Sequence, residues 1–294
     1  MSLSRDQIAE RLAAAGYIAD GELAVAISLM DLLKRPLLLE GEAGVGKTEV
    51  AKALAAVHST ELIRLQCYEG LDQSAALYEW NYQRQLLAIQ AHQVDAGGKA
   101  GEIEDQIFSE KYLLERPLLA AIRREKPPIL LIDEVDRADE EFEAFLLELL
   151  SDFQVSIPEL GTITAVSIPH VVLTSNGTRE LSDALRRRCL YHYVDYPHVD
   201  REARIIMARV EGAGASLSLQ IARMVEGIRK EDLRKVPGVA ETLDWAAALV
   251  GLDVRDLADR PETVHETLMC LLKTHEDKAR LSREVTERLL GKVA

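Results

Sequence analysis

Residues 36–54 read PLLLEGEAGVGKTEVAKAL, and this stretch constrains the chain more than any other. A short continuous apolar run, Leu37–Leu39, enters Gly41-Glu42-Ala43-Gly44-Val45-Gly46-Lys47-Thr48, which fits G-x-x-x-x-G-K-[ST] at every fixed position. The run before it has the length and continuity of a buried parallel strand, and Val50, Ala53, Leu54 and Val57 follow at helical spacing. Gly41, Gly44 and Gly46 let the backbone curl so that its N–H groups converge on phosphate oxygens. The helix that follows offers its N-terminus to the same anion. Lys47 supplies a point charge to the β- and γ-phosphates and Thr48 a hydroxyl for magnesium, with Glu49 closing the loop segment. The plain alternative is a glycine-rich turn between a strand and a helix, but the motif and its context together favour a phosphate-binding loop.

A second signature lies downstream. Ile129-Leu130-Leu131-Ile132 is an apolar strand that ends in Asp133-Glu134. In open parallel sheets, ligands sit outside the carboxyl ends of strands. There Asp133 would reach the magnesium and Glu134 could polarise an attacking water. Asp136, Asp139, Glu140 and Glu141 read instead as a solvated helix start. Asn176 closes a further strand, His170 to Asn176, where an amide could orient water; the competing reading is a turn residue. Leu185-Arg186-Arg187-Arg188-Cys189 cannot bury three guanidiniums. It is either a basic surface cluster or the source of an arginine finger supplied across a subunit interface.

The remaining pattern gives helices over residues 1–35, with Leu23, Ala26, Ile27 and Met30 on one face, and a second strand at Leu62–Cys67. Residues 75–93 read as a Gln-rich helix broken by Gly97, Gly98 and Gly101, and Leu113 to Arg124 as another helix. Phe153 to Ser167 alternates around Pro158-Glu159-Leu160-Gly161 and reads as a β-hairpin. Tyr191 to Tyr196 is a fifth strand. Beyond it come only helical patterns, roughly 199–211, 216–230, 239–250, 262–275 and 281–292. Strands alternating with helices, then helices alone, make an α/β domain followed by a small all-α domain with the boundary near Pro197.

Composition narrows the partners. The chain has 294 residues, 48% of them hydrophobic, enough for a sizeable core. Its net charge of −14 argues against nucleic acid, since phosphate contacts supply most of that affinity. Cys67, Cys189 and Cys270 have no CxxC spacing, which favours free thiols over a disulfide framework or a zinc site. No run approaches ~20 apolar residues and the N-terminus lacks a signal-like segment, so the expectation is a cytoplasmic protein with no membrane span.

Taken together, these elements resemble an AAA+ ATPase. GEAGVGKT is similar to its Walker A, LLIDE to its Walker B, TSN to its sensor 1 and LRRRC to its arginine-finger segment. The resemblance implies a P-loop NTPase core, a parallel sheet with helices on both faces, over residues 1–197. It also implies an insertion at about 68–112, a hairpin insertion at about 153–167, and a helical lid over 198–294. Within that family, LLLEGEAGVGKTEVAKALA, DEVDRADEEFEAFLLELLSDFQVSIPELG and SNGTRELSDALRRRCLYHYVDYP resemble the MoxR group, and YEGLD, DALRRRCLYHYVDYP and KVPGVAETLDWAAAL look most like CoxD-type proteins.

The implied activity is hydrolysis of ATP with magnesium in a homo-oligomeric, usually hexameric, ring. The implied partners are a von Willebrand factor A domain protein and a metalloenzyme client whose metal centre is matured. The implied finger is Arg188, with Arg186 second, although many relatives have Arg-Phe where this chain has Arg188-Cys189. Another departure concerns sensor 2. No arginine opens the third lid helix, Glu241 falls about where one would stand, and Arg234 and Lys235 are the candidates to replace it. Two other functions stay open: a nucleotide-dependent switch or scaffold with little turnover, and a DNA-directed motor, against which the acidic balance speaks.

Overall fold

The computed structural model describes residues 4–94 and 107–293. The glycines Gly97, Gly98 and Gly101, with the centre of the expected insertion, lie outside the described residues. By compactness the chain forms two units. The first is built from Glu22–Glu40 and Leu54–His192, the second from Asp6–Gly21, Gly41–Ala53 and the stretch beginning at Tyr193.

The first unit carries a five-stranded sheet. Its strands are β1 (Leu37–Glu40), β2 (Leu62–Gln66), β5 (Ile129–Asp133), β8 (His170–Ser175) and β9 (Leu190–Tyr193), in the order β2-β5-β8-β1-β9. The β1–β8, β5–β8 and β2–β5 pairs are parallel, with Leu38 opposite Leu173, Leu131 opposite Val172 and Gln66 opposite Asp133. Every residue of β5 is buried, as expected of a central parallel strand covered on both faces. Leu130 and Ile132 pack into one core with Ile63, Leu65, Val171, Leu118 and Leu146, while Ile129 and Leu131 are equally buried on the opposite face. The register sets Asp133 and Ser175 at the carboxyl edge of the sheet. The fifth strand stops at Tyr193, short of the expected Tyr196.

Two expected helices are partly strand. In place of the helix over 75–93 the chain forms a short helix, Gln73–Ala76, then β3 (Tyr78–Trp80), and only then a helix over Tyr82–Val94. Leu113 to Arg124 opens as β4 (Leu113–Glu115), and the helix begins at Pro117 and runs to Arg123. β3 and β4 pair antiparallel, Trp80 opposite Leu113. Proline at the first helical position explains the late start, since its missing N–H costs nothing there. The hairpin is present as β6 (Gln154–Ile157) and β7 (Gly161–Thr164), with Gly161 at φ +80°. Trp80 is core, edge-on against Tyr78 and Phe108, whereas Tyr82 is exposed.

The second unit is helical. We label the first three helices of the chain α1 (Arg5–Ala14), α2 (Gly21–Leu33), which belongs mainly to the first unit, and α3 (Lys47–Val57), which spans the division. The C-terminal helices are Val199–Arg209, Ala215–Arg229, Val239–Gly251, Pro261–Thr267, His275–Arg280 and Arg283–Leu290. The expected helix over 262–275 stops at Thr267, and a tight turn, Leu268–Cys270, follows it. Trp245, Ile206, Ile221, Leu249, Val264 and Leu268 form the core of this unit. No described helix is long and apolar enough to cross a membrane.

Candidate functional site

The phosphate-binding loop belongs to the second unit and has the backbone that its glycines predict. Gly44 and Gly46 sit at φ +80° and +98°, in the left-handed region where a side chain would strain the chain. Gly41 is required for a different reason: a Cβ there would press into the carbonyl oxygen of Val194. α3 begins at Lys47, so Thr48 and Glu49 lie in its first turn, where orphan N–H groups favour an anion. Glu42 and Ala43 are exposed on the loop and Val45 is buried beneath it. Lys47 is almost wholly buried, and its Nζ donates to the carbonyls of Gly41 (2.6 Å) and Glu42 (2.7 Å).

Glu49 pairs with Lys52 and with Arg209, the latter at 3.2 Å. Burial pushes its carboxyl up, but Lys52 and then Arg209 outweigh that and hold it below the usual range. Beside the loop is a cleft lined by Tyr17, Ile18, Val45, Ile205 and Leu243 together with Glu49, Arg201 and Arg209. Burial pushes the Tyr17 phenol up to about 12, against the Arg201 charge that lowers it. Tyr17 and Ile18 stand far from the motif in sequence, and no local pattern announces them.

The third long helix of the C-terminal region also meets the loop. Val239 N–H donates to the Gly44 carbonyl at 2.8 Å, and Gly238 lies so close that a Cβ would come within 2.8 Å of Gly44 Cα. Glu241 accepts the Gly238 N–H at 3.0 Å and so closes the start of its own helix. Arg234 pairs with Glu276 at 3.5 Å on the surface, and the backbone N–H groups of Arg234 and Lys235 both bind Asp277.

The carboxylates belong to the first unit. Asp133 is buried; its Oδ1 accepts from Thr174 Oγ1 at 2.5 Å and its Oδ2 meets Arg64 at 2.5 Å. Glu134 leaves the strand in a left-handed conformation, φ 54° and ψ 51°, uncommon for a residue with a side chain and typical of constrained sites. Its N–H donates to Thr174 Oγ1 at 2.9 Å, and its carboxylate receives Gln66 and Arg137, each at 3.1 Å. The hydroxyl of Thr174 thus couples Asp133 and Glu134 to the adjacent strand.

Asn176 follows β8 at the same edge. Its N–H is held by both oxygens of Asp136 at 3.2 Å. Asp136 is therefore not the solvated acid expected from the sequence: it is 3% exposed and also binds Thr178. Sequence reasoning misses three further residues. Arg64 and Gln66 alternate on β2 beside Asp133, a polar spacing within an apolar strand that is the available signal, while Thr174 stands inside the Thr-Ser-Asn triplet itself.

The arginines diverge. Arg186 reaches Glu40 at the end of β1 (3.1 Å) and lies over the Tyr191 ring. Arg188 binds Ser151 Oγ and the Ala184 carbonyl. Arg187 is exposed.

Known proteins share parts of this sequence. The chain is 29% identical over 267 residues to the uncharacterized protein SAB1265c of Staphylococcus aureus (strain bovine RF122 / ET3-1), covering 87% of this chain and 89% of that protein. It matches the uncharacterized protein SAOUHSC_01413 of S. aureus (strain NCTC 8325 / PS 47) to the same degree. Among solved structures it is similar to a mutant of RuvB from Thermotoga maritima, with a TM-score of 0.47 and 17% identity, over 94% of this chain and 72% of that one. The profile of the AAA domain (dynein-related subfamily) matches residues 36–189, from the residue before β1 to the end of the arginine segment. The chain thus belongs to the AAA domain family, in its dynein-related subfamily.

Proposed function

We propose that the chain is a magnesium-dependent ATPase that remodels a client protein, a member of the MoxR group most like CoxD-type proteins. The observation that carries the catalytic part is Glu134, turned off the end of β5 in left-handed backbone and tied through Thr174 to the strand that leads to Asn176. In this reading the N–H groups of Gly44 to Thr48 and the Lys47 ammonium bind the phosphates, and the Tyr17–Leu243 cleft takes the base. Thr48 and Asp133 offer the hard oxygens that magnesium takes, and the ion when bound neutralises phosphate charge. Glu134 accepts a proton from water, Asn176 orients that water, and Arg188 or Arg186 of a neighbouring copy meets the charge of the transferring group.

A homo-oligomeric ring, a von Willebrand factor A partner and a metalloenzyme client complete the proposal, with maturation of a metal centre as the task. Tyr82, Leu86 and Leu87 support a partner surface: they expose apolar area on a helix that follows β3, at positions a folded monomer would ordinarily keep polar. The net charge of −14 stands against the DNA-directed motor.

One observation favours a second reading, a nucleotide switch with little turnover. Beside Gly44 stands the Glu241 carboxylate, not a cation that could stabilise a γ-phosphate. ATP turnover against protein concentration separates the two, with Arg188→Ala, Arg186→Ala and Glu134→Gln in parallel. A remodelling ring gives specific activity that rises with concentration, collapses in one arginine variant, and leaves Glu134→Gln holding ATP uncleaved. Flat activity indifferent to both arginines supports the switch.

A further inference from the structure

At the amino-terminal edge of the same sheet, Asp31, His58 and His170 converge, and we infer that they bind a zinc-class divalent cation. Asp31 lies near the end of α2, His58 follows α3, and His170 opens β8. The six-residue strand β8 separates this cluster from the Asn176 edge by roughly 17 Å at the usual strand rise. It is therefore a different site from the carboxylates of the ATPase.

The donor atoms are close and the groups holding them are fixed. Asp31 Oδ1 is 2.8 Å from His170 Nδ1, Asp31 Oδ2 is 3.4 Å from His58 Nε2, and one ligand atom from each residue lies within 4.8 Å of the others. Ligands held at about 2.0–2.1 Å around a tetrahedral zinc stand about 3.4 Å apart. The backbone is pinned at both histidines: His58 N–H donates to Leu54 (2.9 Å) and His170 N–H to Pro128 (2.9 Å). The side chains of Asp31, His170 and His58 are only 9%, 10% and 20% exposed.

A hydrogen-bonded His–Asp–His clamp is the competing account, and the geometry disfavours it. Asp31 Oδ1 and His58 Nε2 are buried and complete no well-directed hydrogen bond despite the short approaches. Buried polar atoms are otherwise nearly always satisfied, so two orphans in one cluster mark a missing partner. The two imidazoles stack at 4.4 Å with 25° between their planes. Two nitrogens and one carboxylate suit zinc, cobalt or nickel, not the all-oxygen preference of magnesium or calcium. A bound ion would staple α2, the end of α3 and the start of β8.

The test is zinc titration of the chelator-stripped full chain, read by competition with a chromophoric chelator, by visible absorption of the cobalt form, and by thermal unfolding. One equivalent of zinc should bind, cobalt should give ligand-field bands, and zinc but not magnesium should raise Tm. His58→Gln and Asp31→Asn, each checked for native circular dichroism, should weaken zinc binding by about 100-fold or more, beyond the loss typical of removing a group that only orients a ligand. Asp31→Asn is isosteric and keeps the test valid if His58→Gln misfolds. No stoichiometric uptake, or uptake unchanged in both variants, overturns the site; the second result would move the metal to the thiols.

Discussion

Asp136 Oδ2 accepts from both the backbone N–H (2.9 Å) and the hydroxyl (2.6 Å) of Thr178, and the same carboxylate holds the N–H of Asn176. The acid thus ties the segment after the Asp-Glu strand to the segment after β8, and it fixes where Asn176 can point. Asp136→Asn keeps the shape but removes an acceptor and turns a donor toward donors. On the proposed ATPase reading the expected result is a fall in kcat with KM little changed, and a stability loss of about 1–3 kcal/mol. Thr178→Val should do the same more weakly. Steady-state kinetics beside urea unfolding checks it; equal losses in KM would mean that Asp136 serves nucleotide binding.

The same residue sets an acid limit. Burial raises the Asp136 carboxyl, but the Thr178 hydroxyl and the N–H groups of Thr178 and Asn176 outweigh it and hold the carboxyl below its ordinary value. A depressed acid contributes stability above its unfolded pKa of about 3.9 and loses it as pH falls further. Thermal melts from pH 6 to pH 3 should therefore fall more steeply for the wild type than for Asp136→Asn. Parallel curves would show that this carboxylate does not contribute to the acid transition.

Gly238 and Gly251 make a matched pair. At Gly238 the backbone φ is −84°, which alanine accepts, so only the contact with Gly44 opposes a side chain there. Gly238→Ala should displace the phosphate-binding loop and weaken ATP binding, read by titration with a fluorescent nucleotide. Gly251 closes the same helix with open space around it, and Gly251→Ala should leave binding unchanged and add up to about 1 kcal/mol of stability. Equal behaviour of the two variants would remove the Gly44 contact from the account.

These residues also mark what the sequence can say. The loop, the Asp-Glu strand end and Asn176 are legible because each is a fixed spacing next to a short apolar run, and backbone chemistry dictates that combination locally. Asp136 is not, because a buried acid and a solvated one look alike until the segment 40 residues later folds over it. β3 and β4 fail for a related reason: three residues carry almost no alternation, and each is a strand only because the other pairs with it. The Tyr17 cleft is assembled from separated stretches of the second unit, and no window along the chain contains it.

The cysteines give a simple check on the core. Burial pushes the Cys67 thiol up to about 12, helped by Asp133, Asp136 and Glu134, and burial likewise pushes Cys189 up to about 12 against the nearby Arg35 and Arg188 charges. At pH 8 a thiol reagent should label Cys270, which is only partly buried, and leave the other two until the chain unfolds. Both raised thiols favour the native state below the unfolded thiol pKa of about 8.5, and that contribution fades as pH climbs toward the native value. Stability should accordingly decline above about pH 9. Rapid native labelling of all the thiols would contradict this packing.

Arg229 and Glu202 form a two-pronged ion pair, both contacts 2.7 Å, with side chains only 8% and 1% exposed. Thr242 adds a hydrogen bond to Glu202 at 2.9 Å, and the Arg229 guanidinium lies 4.6 Å from the Tyr196 ring centre. Arg229 Nε also donates to the carbonyl of Pro237, the residue just before Gly238, at 2.9 Å. The pair therefore holds the turn that brings Gly238 against Gly44. Arg229→Met leaves Glu202 charged and buried, and the expected cost is about 3–5 kcal/mol. Glu202→Gln keeps some hydrogen bonds and should cost less. Arg229→Met combined with Glu202→Met should cost less than the sum of the two single changes to methionine, since no charge is then stranded. Because the turn is shared, Arg229→Met should also weaken nucleotide binding at temperatures where the chain is still folded. Urea unfolding with nucleotide titration distinguishes the outcomes. A variant that is destabilised but binds nucleotide as tightly as the wild type would confine the pair to stability alone.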